Sequence, residues 1–245
     1  MKLYGIIGYP LSHSFSQKYF TEKFKQEGIK DCRYESWPIP SINDLKDLLK
    51  QNPDLLGFNI TIPYKQAVLQ YLDDATNIPA GLKACNCIKI SNKEMIGYNT
   101  DIIGFERSLL SQLKPHHRNA LVLGNGGAAE AVKFVLKKLH IPYQLVSRQP
   151  HDESILTYAD LNEDIITKNK LIINTTPVGT FPGVTECPDI PYQYLTAQHH
   201  LFDLIYNPEK TLFLQKGEER GATIQNGYEM LLIQADESWR IWNED

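Results

Sequence analysis

The sequence predicts an α/β protein built as two αβ units in series. Three observations predict it. Short apolar runs bounded by turn residues alternate with amphipathic stretches, the pattern of a mostly parallel sheet. The alternation restarts after residue 101, and a glycine-rich turn joins a strand to a helix early in the second series. With 245 residues, against roughly 150 per domain, one large or two modest domains are expected.

In the first series, residues 3–8 read as a buried strand. Residues 16–28 place Tyr19, Phe20 and Phe24 at helical spacing, with Gly28 as the stop. CRYESWPI (32–39) is a strand, and Ser41 caps a helix carrying Leu45, Leu48 and Leu49. LLGFNIT (55–61) is the third strand. Pro63 is expected just inside a helix start, where its missing N–H costs nothing. Residues 85–98 read as two short strands joined by a Ser-Asn-Lys turn.

The second series opens with a helix over 103–113 and a strand over 119–124. Helix 127–139 carries Val132, Val135, Leu136 and Leu139 on one face, and strand 142–147 follows. A looser polar stretch runs to about residue 168. KLIINTT (170–176) and HLFDLIY (200–206) are buried strands. A helix at 210–219, a strand at 222–226 and a final helix from about 227 to 242 complete the chain.

Composition narrows the function. Apolar residues at 42% and charged residues at 22% exclude a disordered chain. Lys+Arg 25 against Asp+Glu 29 leaves a net charge of −4 and no basic field for nucleic acid. No apolar run approaches the roughly 18 residues of a membrane span. The first residues are too interrupted for a signal peptide. Cys85 and Cys87 stand one residue apart, which suits neither CxxC redox chemistry nor a zinc ribbon. No metal is expected, and a cytoplasmic protein is.

Gly124-Asn125-Gly126-Gly127-Ala128-Ala129 matches GxGxxG/A between the apolar strand Ala120–Leu123 and an amphipathic helix. Gly124 permits the tight turn, Gly126 lets a pyrophosphate approach the backbone, and Ala129 lets the helix lie close. The bland alternative is an ordinary tight turn. Past the next strand stands Arg148, where NAD-preferring folds carry an acid. Its planar fork of donors suits a 2′-phosphate, which favours NADP. The alternative is a solvated loop cation.

Ser12, Ser14 and Ser16 precede a helix and read equally as a carboxylate site or as an N-cap with neighbours. His13 reads as a packed histidine. The strand period puts Asn59 and Thr61 on one face. Lys65, in the expected first helical turn, meets the positive end of the macrodipole, which should lower its pKa and make it a proton donor and acceptor. A surface lysine is the alternative. Asp101 reads as an N-cap or as a functional carboxylate meeting Lys65.

Together these segments resemble the shikimate dehydrogenase family along nearly the whole chain. GYPLSHSFSQ resembles G-x-P-[ILV]-x-H-S-x-S-P, and FNITIPYK resembles N-[VI]-T-x-P-[FYH]-K. CNCI is similar to G-A-x-N-T, GYNTDIIG to G-x-N-T-D-x-x-G, and GNGGAAEAV to G-[AS]-G-G-A. INTTPVGTFPG, DLIYNPEKTLFL and GYEMLLIQADESWRIW resemble the family's three later segments.

The resemblance implies reversible reduction of 3-dehydroshikimate to shikimate with NADPH, by a monomer or homodimer whose partner is this small molecule and neither nucleic acid nor membrane. It implies a substrate-binding domain from residues 1–101 and 227–245 and a Rossmann-like NADP domain from 102–226, the last helix returning to the first domain. Ser14 and Ser16 would hold the substrate carboxylate. Thr61, Asn86 and Gln234 would hydrogen-bond the substrate, and Tyr206 would line the pocket. Lys65 and Asp101 would form the catalytic pair. Gly124, Gly126, Gly127 and Ala128 would cradle the pyrophosphate, and Arg148 would meet the adenosine phosphate. Thr175, Pro177 and Gly179 would pass beside the cofactor, with Gly227 and Met230 near the nicotinamide.

The sequence departs from the family at several points. Phe15 and Gln17 replace a Lys and a Pro, Cys87 replaces a Thr, Phe181 stands near the family's Met, and the usual second Arg after Arg148 is missing. Three alternatives accompany this reading: an NAD-using quinate/shikimate dehydrogenase, a non-catalytic cofactor-sensing regulator, and a two-domain dehydrogenase acting on a folate. A regulator would be expected to lose Lys65 or Asp101, and both are present.

Overall fold

The computed structural model describes residues 1–11, 15–149 and 152–244. The chain divides into two compact units. One comprises Met1–Thr100 and the residues from Gln234 onward; the other runs from Asp101 to Ile233.

The first unit is a mixed sheet. Strands β1 (Lys2–Gly8), β2 (Cys32–Pro38), β3 (Leu55–Ile60), β4 (Cys87–Ser91) and β5 (Glu94–Tyr98) lie in the order β2-β1-β3-β4-β5. The first three are parallel, and β4 and β5 form an antiparallel hairpin on β3. That hairpin turns through Asn92 and Lys93, both at positive φ, the backbone that a two-residue turn needs to match strand twist. Helix α1 (Phe15–Gln26) buries Phe20 and Phe24, and Gly28 follows it at φ +68, as the stop signal predicts. Ser41 caps a 3-10 turn (Ile42–Asp44) that leads into α2 (Leu45–Gln51).

One expectation fails here. No α-helix starts at Pro63. After β3 the chain makes turns through residues 62–66 and then a 3-10 helix, Ala67–Tyr71. The residue before a proline is biased away from αR, and two turns interrupt the pattern. The helix dipole invoked for Lys65 is therefore not there.

The second unit is a five-stranded parallel sheet. Helix α3 (Asp101–Leu110) leads to β6 (Ala120–Leu123), α4 (Gly127–Lys138), β7 (Tyr143–Val146), α5 (Glu163–Lys168), β8 (Leu171–Asn174), β9 (His200–Asp203), α6 (Leu212–Glu218) and β10 (Thr223–Gln225). Strand order is β10-β9-β8-β6-β7. The order reverses between β6 and β8, and in such sheets ligands bind outside the carboxyl ends at that point. β6, β8 and β9 are buried at every residue, as strands covered on both faces must be. Leu121, Ile172, Leu201 and Phe213 centre this core. Helix α5 stands inside the stretch read as loose and polar. Asn162 caps it by accepting from the Ile165 N–H, but its six residues are too short for a periodic signal.

The chain closes with α7 (Tyr228–Asn243), and the division between the units falls inside it. Its distal half belongs to the first unit. There Trp242 stacks on Tyr4 at 4.9 Å, and Trp239 meets the same ring edge-on at 5.4 Å. Trp242 can lie flat on the sheet because β3 carries Gly57: a Cβ there would stand 2.4 Å from the indole. The Trp242 indole N–H donates to the Ile88 carbonyl at 2.9 Å, which satisfies its one polar atom.

Candidate functional site

The first unit holds a buried polar lattice where β3, the approach to β4, the end of the β5 segment and α7 meet. Asn59, Asn86, Thr100, Gln234 and Ser238 are all buried. Such a group is tolerated only when its polar atoms are paired, and here they are. The Thr100 N–H donates to Asn86 Oδ1 at 2.6 Å, which turns Asn86 Nδ2 toward Thr100 Oγ1 (3.0 Å) and Gln234 Oε1 (3.4 Å). Asn59 Nδ2 donates to the Asn86 carbonyl (3.2 Å) and to Ser238 Oγ (2.9 Å), while its Oδ1 accepts from the Tyr34 hydroxyl at 2.9 Å. Ser16 is buried and hydrogen-bonds Tyr34, whose phenol burial pushes well up.

Three expected residues are thus brought into one lattice: Ser16, Asn86 and Gln234. Ser14 lies outside the described residues, as do Ser12 and His13. Thr61 sits past the end of β3, its N–H donating to the Ile7 carbonyl at 3.0 Å. Lys65 is half-buried in the turns, and its carbonyl accepts from the Cys85 N–H at 2.8 Å. Asp101 is not an N-cap but the first residue of α3, and it is buried. A carboxylate suits that end of a helix dipole. Lys65 belongs to the first unit and Asp101 opens the second.

Sequence reasoning left Tyr34, Asn59, Thr100 and Ser238 off the site. The strand period puts Asn59 on one face with Thr61, two residues on, without giving it a site role, and Thr100 directly precedes Asp101. Ser238 stands four residues after Gln234, on the same helical face, a spacing that could have found it.

In the second unit the glycine turn follows β6 as expected. Gly124 has φ +103, and a Cβ there would meet Thr175 Oγ1 at 2.7 Å. Thr175, just past β8, pins itself to β6 by donating its hydroxyl to the Leu123 carbonyl at 2.7 Å. The turn and Thr175 therefore share the switch-point end of the sheet. Gly126 precedes α4 with no side-chain cap, is exposed, and would have open space around a Cβ. Gly127 and Ala128 form the first turn of α4, whose N–H groups can face an anion. Arg148 is exposed two residues past β7, close enough to Tyr158 for its charge to act on that phenol. These residues fit a dinucleotide bearing a 2′-phosphate: glycine where a side chain would intrude, free helix N–H groups, and a guanidinium beyond the next strand.

A staple sets the neighbouring loops. Buried Asp203, at the end of β9, accepts from Asn174 Nδ2 (3.0 Å), the Ile205 N–H (3.1 Å) and Thr211 Oγ1 (2.6 Å). Burial pushes its carboxyl up to about 6. Tyr206 follows, half-buried, its phenol also pushed up by burial. Gly227 donates its N–H to the Ile205 carbonyl at 3.0 Å, and a Cβ there would stand 2.1 Å from the Leu204 carbonyl oxygen. Met230 is buried one turn into α7. Among the described residues no group of three or more His, Cys, Asp or Glu could hold a metal, and no helix is long and apolar enough to cross a membrane.

The class follows from these features: a two-unit α/β protein in which a Rossmann-like dinucleotide-binding unit accompanies a smaller unit holding a polar lattice. Comparison with known proteins narrows it. A family model described as the shikimate dehydrogenase substrate binding domain matches residues 6–88. The chain is 35% identical to a shikimate dehydrogenase (NADP(+)) of Methanococcus vannielii, over 98% of this chain and 90% of that one. Shikimate 5-dehydrogenase from Thermus thermophilus, solved in complex with NADP(H) and shikimate, superposes with a TM-score of 0.87 at 28% identity, covering 99% of this chain and 94% of that one. The 5-ketofructose reductase of Gluconobacter sp. strain CHM43 gives 0.81 at 26% identity, over 99% and 92% of the two chains. The chain belongs to the shikimate dehydrogenase family.

Proposed function

We propose that this protein is a cytoplasmic NADP-dependent shikimate dehydrogenase, interconverting 3-dehydroshikimate and shikimate. The observation that carries the reading is the full-length likeness to relatives named for that reaction, with Lys65 and Asp101 at the matching motif positions. The glycine turn, the first turn of α4 and Arg148 would hold NADP, with Thr175, Gly227 and Met230 beside it. When bound, the nicotinamide supplies or takes up the hydride.

This chain's residues do the rest. Ser14 and Ser16 hold the substrate carboxylate, Thr61, Asn86 and Gln234 hydrogen-bond the substrate, and Tyr206 lines the pocket. As the substrate carbonyl becomes an alcohol, negative charge grows on its oxygen. The Lys65 ammonium, aided by Asp101, stabilises that oxygen and delivers a proton to it; in the reverse direction the two residues accept the hydroxyl proton.

The reading is tested by following NADP+ reduction with shikimate, then with quinate and with NAD+. Shikimate with NADP+ is expected to give the highest kcat/KM. Lys65→Ala is expected to lower kcat by about 10²–10⁴-fold with a smaller effect on KM. Turnover of Lys65→Ala at the wild-type rate removes the acid–base assignment, and reduction of 5-ketofructose in preference to 3-dehydroshikimate removes the substrate.

A further inference from the structure

We propose that Asp203 is a positioning residue for the cofactor: through Asn174 and Thr211 it fixes the loop of residues 175–181 beside the nicotinamide half of NADP. The inference rests on the proposed function, and in particular on its cofactor.

Sheet order says which half of the dinucleotide this loop meets. The strands lie in the order β10-β9-β8-β6-β7. The glycine turn follows β6, and Arg148 lies past β7. A dinucleotide with its pyrophosphate at that turn and its 2′-phosphate at Arg148 runs its other half across the ends of β8 and β9. Residues 175–181 leave the end of β8, and Asp203 closes β9.

The hydrogen bonds at these two strand ends have fixed directions. A backbone N–H only donates, so the Thr176 N–H holds Asn174 Oδ1 at 3.0 Å. The Thr176 hydroxyl donates to the same oxygen at 2.7 Å and accepts from the Val178 N–H at 3.3 Å. Asn174 Nδ2 is thereby turned to Asp203 Oδ1, 3.0 Å away, which also accepts from the Ile205 N–H at 3.1 Å. On the other side Thr211 Oγ1 accepts from the Leu214 N–H at 3.4 Å and sends its own proton to Asp203 Oδ2 at 2.6 Å.

Three donors converge on one buried side chain, and a carboxylate, which only accepts, suits all three. Both arms bear on residues 175–181. Asn174 sets the start of the loop through Thr176 and Val178. Thr211 backs its middle, where a Cβ at Gly179 would stand 3.7 Å from Thr211 Cβ. The Phe181 N–H then ties the far end to the Asn207 carbonyl at 3.1 Å, in the segment that Asp203 spans by its bonds to Ile205 and Thr211. Without the carboxylate the Asn174 amide and the Thr211 hydroxyl lose their common buried acceptor, and a buried donor left unpaired costs more than the bond contributed. The loop is then free to settle elsewhere. Asp203 touches no cofactor atom in this reading; it acts through the loop.

The test is calorimetric titration with NADP+ and with adenosine 2′,5′-bisphosphate, which carries the 2′-phosphate and no nicotinamide. In Asp203→Ala the Kd for NADP+ is expected to rise about tenfold, while the Kd for adenosine 2′,5′-bisphosphate stays within about twofold. A general loss of structure in the second unit would weaken both ligands alike. Asp203→Asn keeps an oxygen for Asn174 and the Ile205 N–H, and is expected to hold both Kd values within about threefold of wild type. Asn174→Ala cuts the same tie from the other side and is expected to reproduce the split between the two ligands. It carries the test if Asp203→Ala does not fold, and equal Kd changes for the two ligands in Asn174→Ala overturn the assignment. Equal weakening of both ligands in Asp203→Ala overturns it too, as does a wild-type Kd for NADP+ there, or an Asp203→Asn variant as weak as the alanine one. If the wild-type protein binds NADP+ yet does not oxidise shikimate, the proposed substrate fails and the role of Asp203 stands. If it binds neither ligand, the cofactor reading fails and the role of Asp203 goes with it.

Discussion

Acidification from about pH 7 to pH 5 is expected to destabilise the second unit by roughly 2–3 kcal/mol, and two stacked histidines are the cause. His200 opens β9 and His117 lies in the loop before β6; both are buried, and their rings stack at 5.7 Å. The Lys114 N–H donates to His117 Nδ1 at 3.1 Å, while the His200 nitrogens meet Thr223 Oγ1 at 2.9 Å and Gln225 Oε1 at 3.2 Å. Burial first, and then the neighbouring His116, His200 and Lys114, hold the His117 ring down at about 4. Burial and Lys114 hold His200 at about 4 as well.

Above the ordinary value of 6.5 both rings are neutral whether the chain is folded or not, so their contribution is complete. As pH falls below 6.5 the unfolded chain takes up protons that the folded rings refuse, and stability is lost until pH reaches about 4. Between about pH 7 and pH 5 each ring loses the fold about 2 kcal/mol. Asp203 works the other way. Its raised carboxyl, at about 6 against an ordinary 3.8, takes its proton in the folded state first, and it returns about 1 kcal/mol over the same interval.

The assay is urea unfolding at a series of pH values, read by amide hydrogen exchange in β8 and β9. Trp37, Trp239 and Trp242 are the chain's three tryptophans and all belong to the first unit, so tryptophan fluorescence reports that unit separately. His117→Asn, which offers an oxygen in place of Nδ1 to the Lys114 N–H, is expected to remove about 2 kcal/mol of the pH dependence. Equal protection of β9 at both pH values, or an unchanged slope in His117→Asn, would refute the reasoning.

Two further outcomes are expected. Arg148→Ala should raise KM for NADP+ about 10–100-fold, the worth of a charge-assisted hydrogen bond, and leave KM for NAD+ within about twofold; equal effects on both cofactors would show that the guanidinium does not read the 2′-phosphate. Gly124→Ala should lower stability by about 1–3 kcal/mol and weaken NADP+ binding, because φ +103 disfavours any Cβ and that atom would meet Thr175 Oγ1 at 2.7 Å; calorimetric unfolding and cofactor titration check the two effects.

The elements legible in the sequence were those whose signal is local. β6 is an uninterrupted apolar run and β8 is apolar up to its last residue, Asn174, and the Gly124 turn announces itself by residue type between a strand and a helix. The Gly28 stop needed only a positive φ. What stayed hidden depends on distant partners. The turns at residues 62–66 replaced an expected helix because Pro63 permits a helix start without enforcing one. α5 has too few residues to show a period. The polar lattice was half visible: Asn86 and Gln234 came from motif likeness, and spacing could point to Asn59 beside Thr61 and to Ser238 beside Gln234, yet which of these side chains meet across the unit is set by partners far apart in the chain. Ser238 is 179 residues from the Asn59 amide it accepts from.

That separation bears on how the molecule is made. Residues 101–233 form the second unit as one continuous run, so everything its sheet requires leaves the ribosome together. The first unit is split, and Asn59 and Asn86 emerge long before Gln234, Ser238, Trp239 and Trp242. Until α7 is synthesised Asn59 lacks its Ser238 acceptor, Asn86 lacks its Gln234 acceptor, and Tyr4 has no indole to cover it. The half that holds the substrate-type lattice must therefore wait, incomplete, while the half that carries the glycine turn is free to finish first.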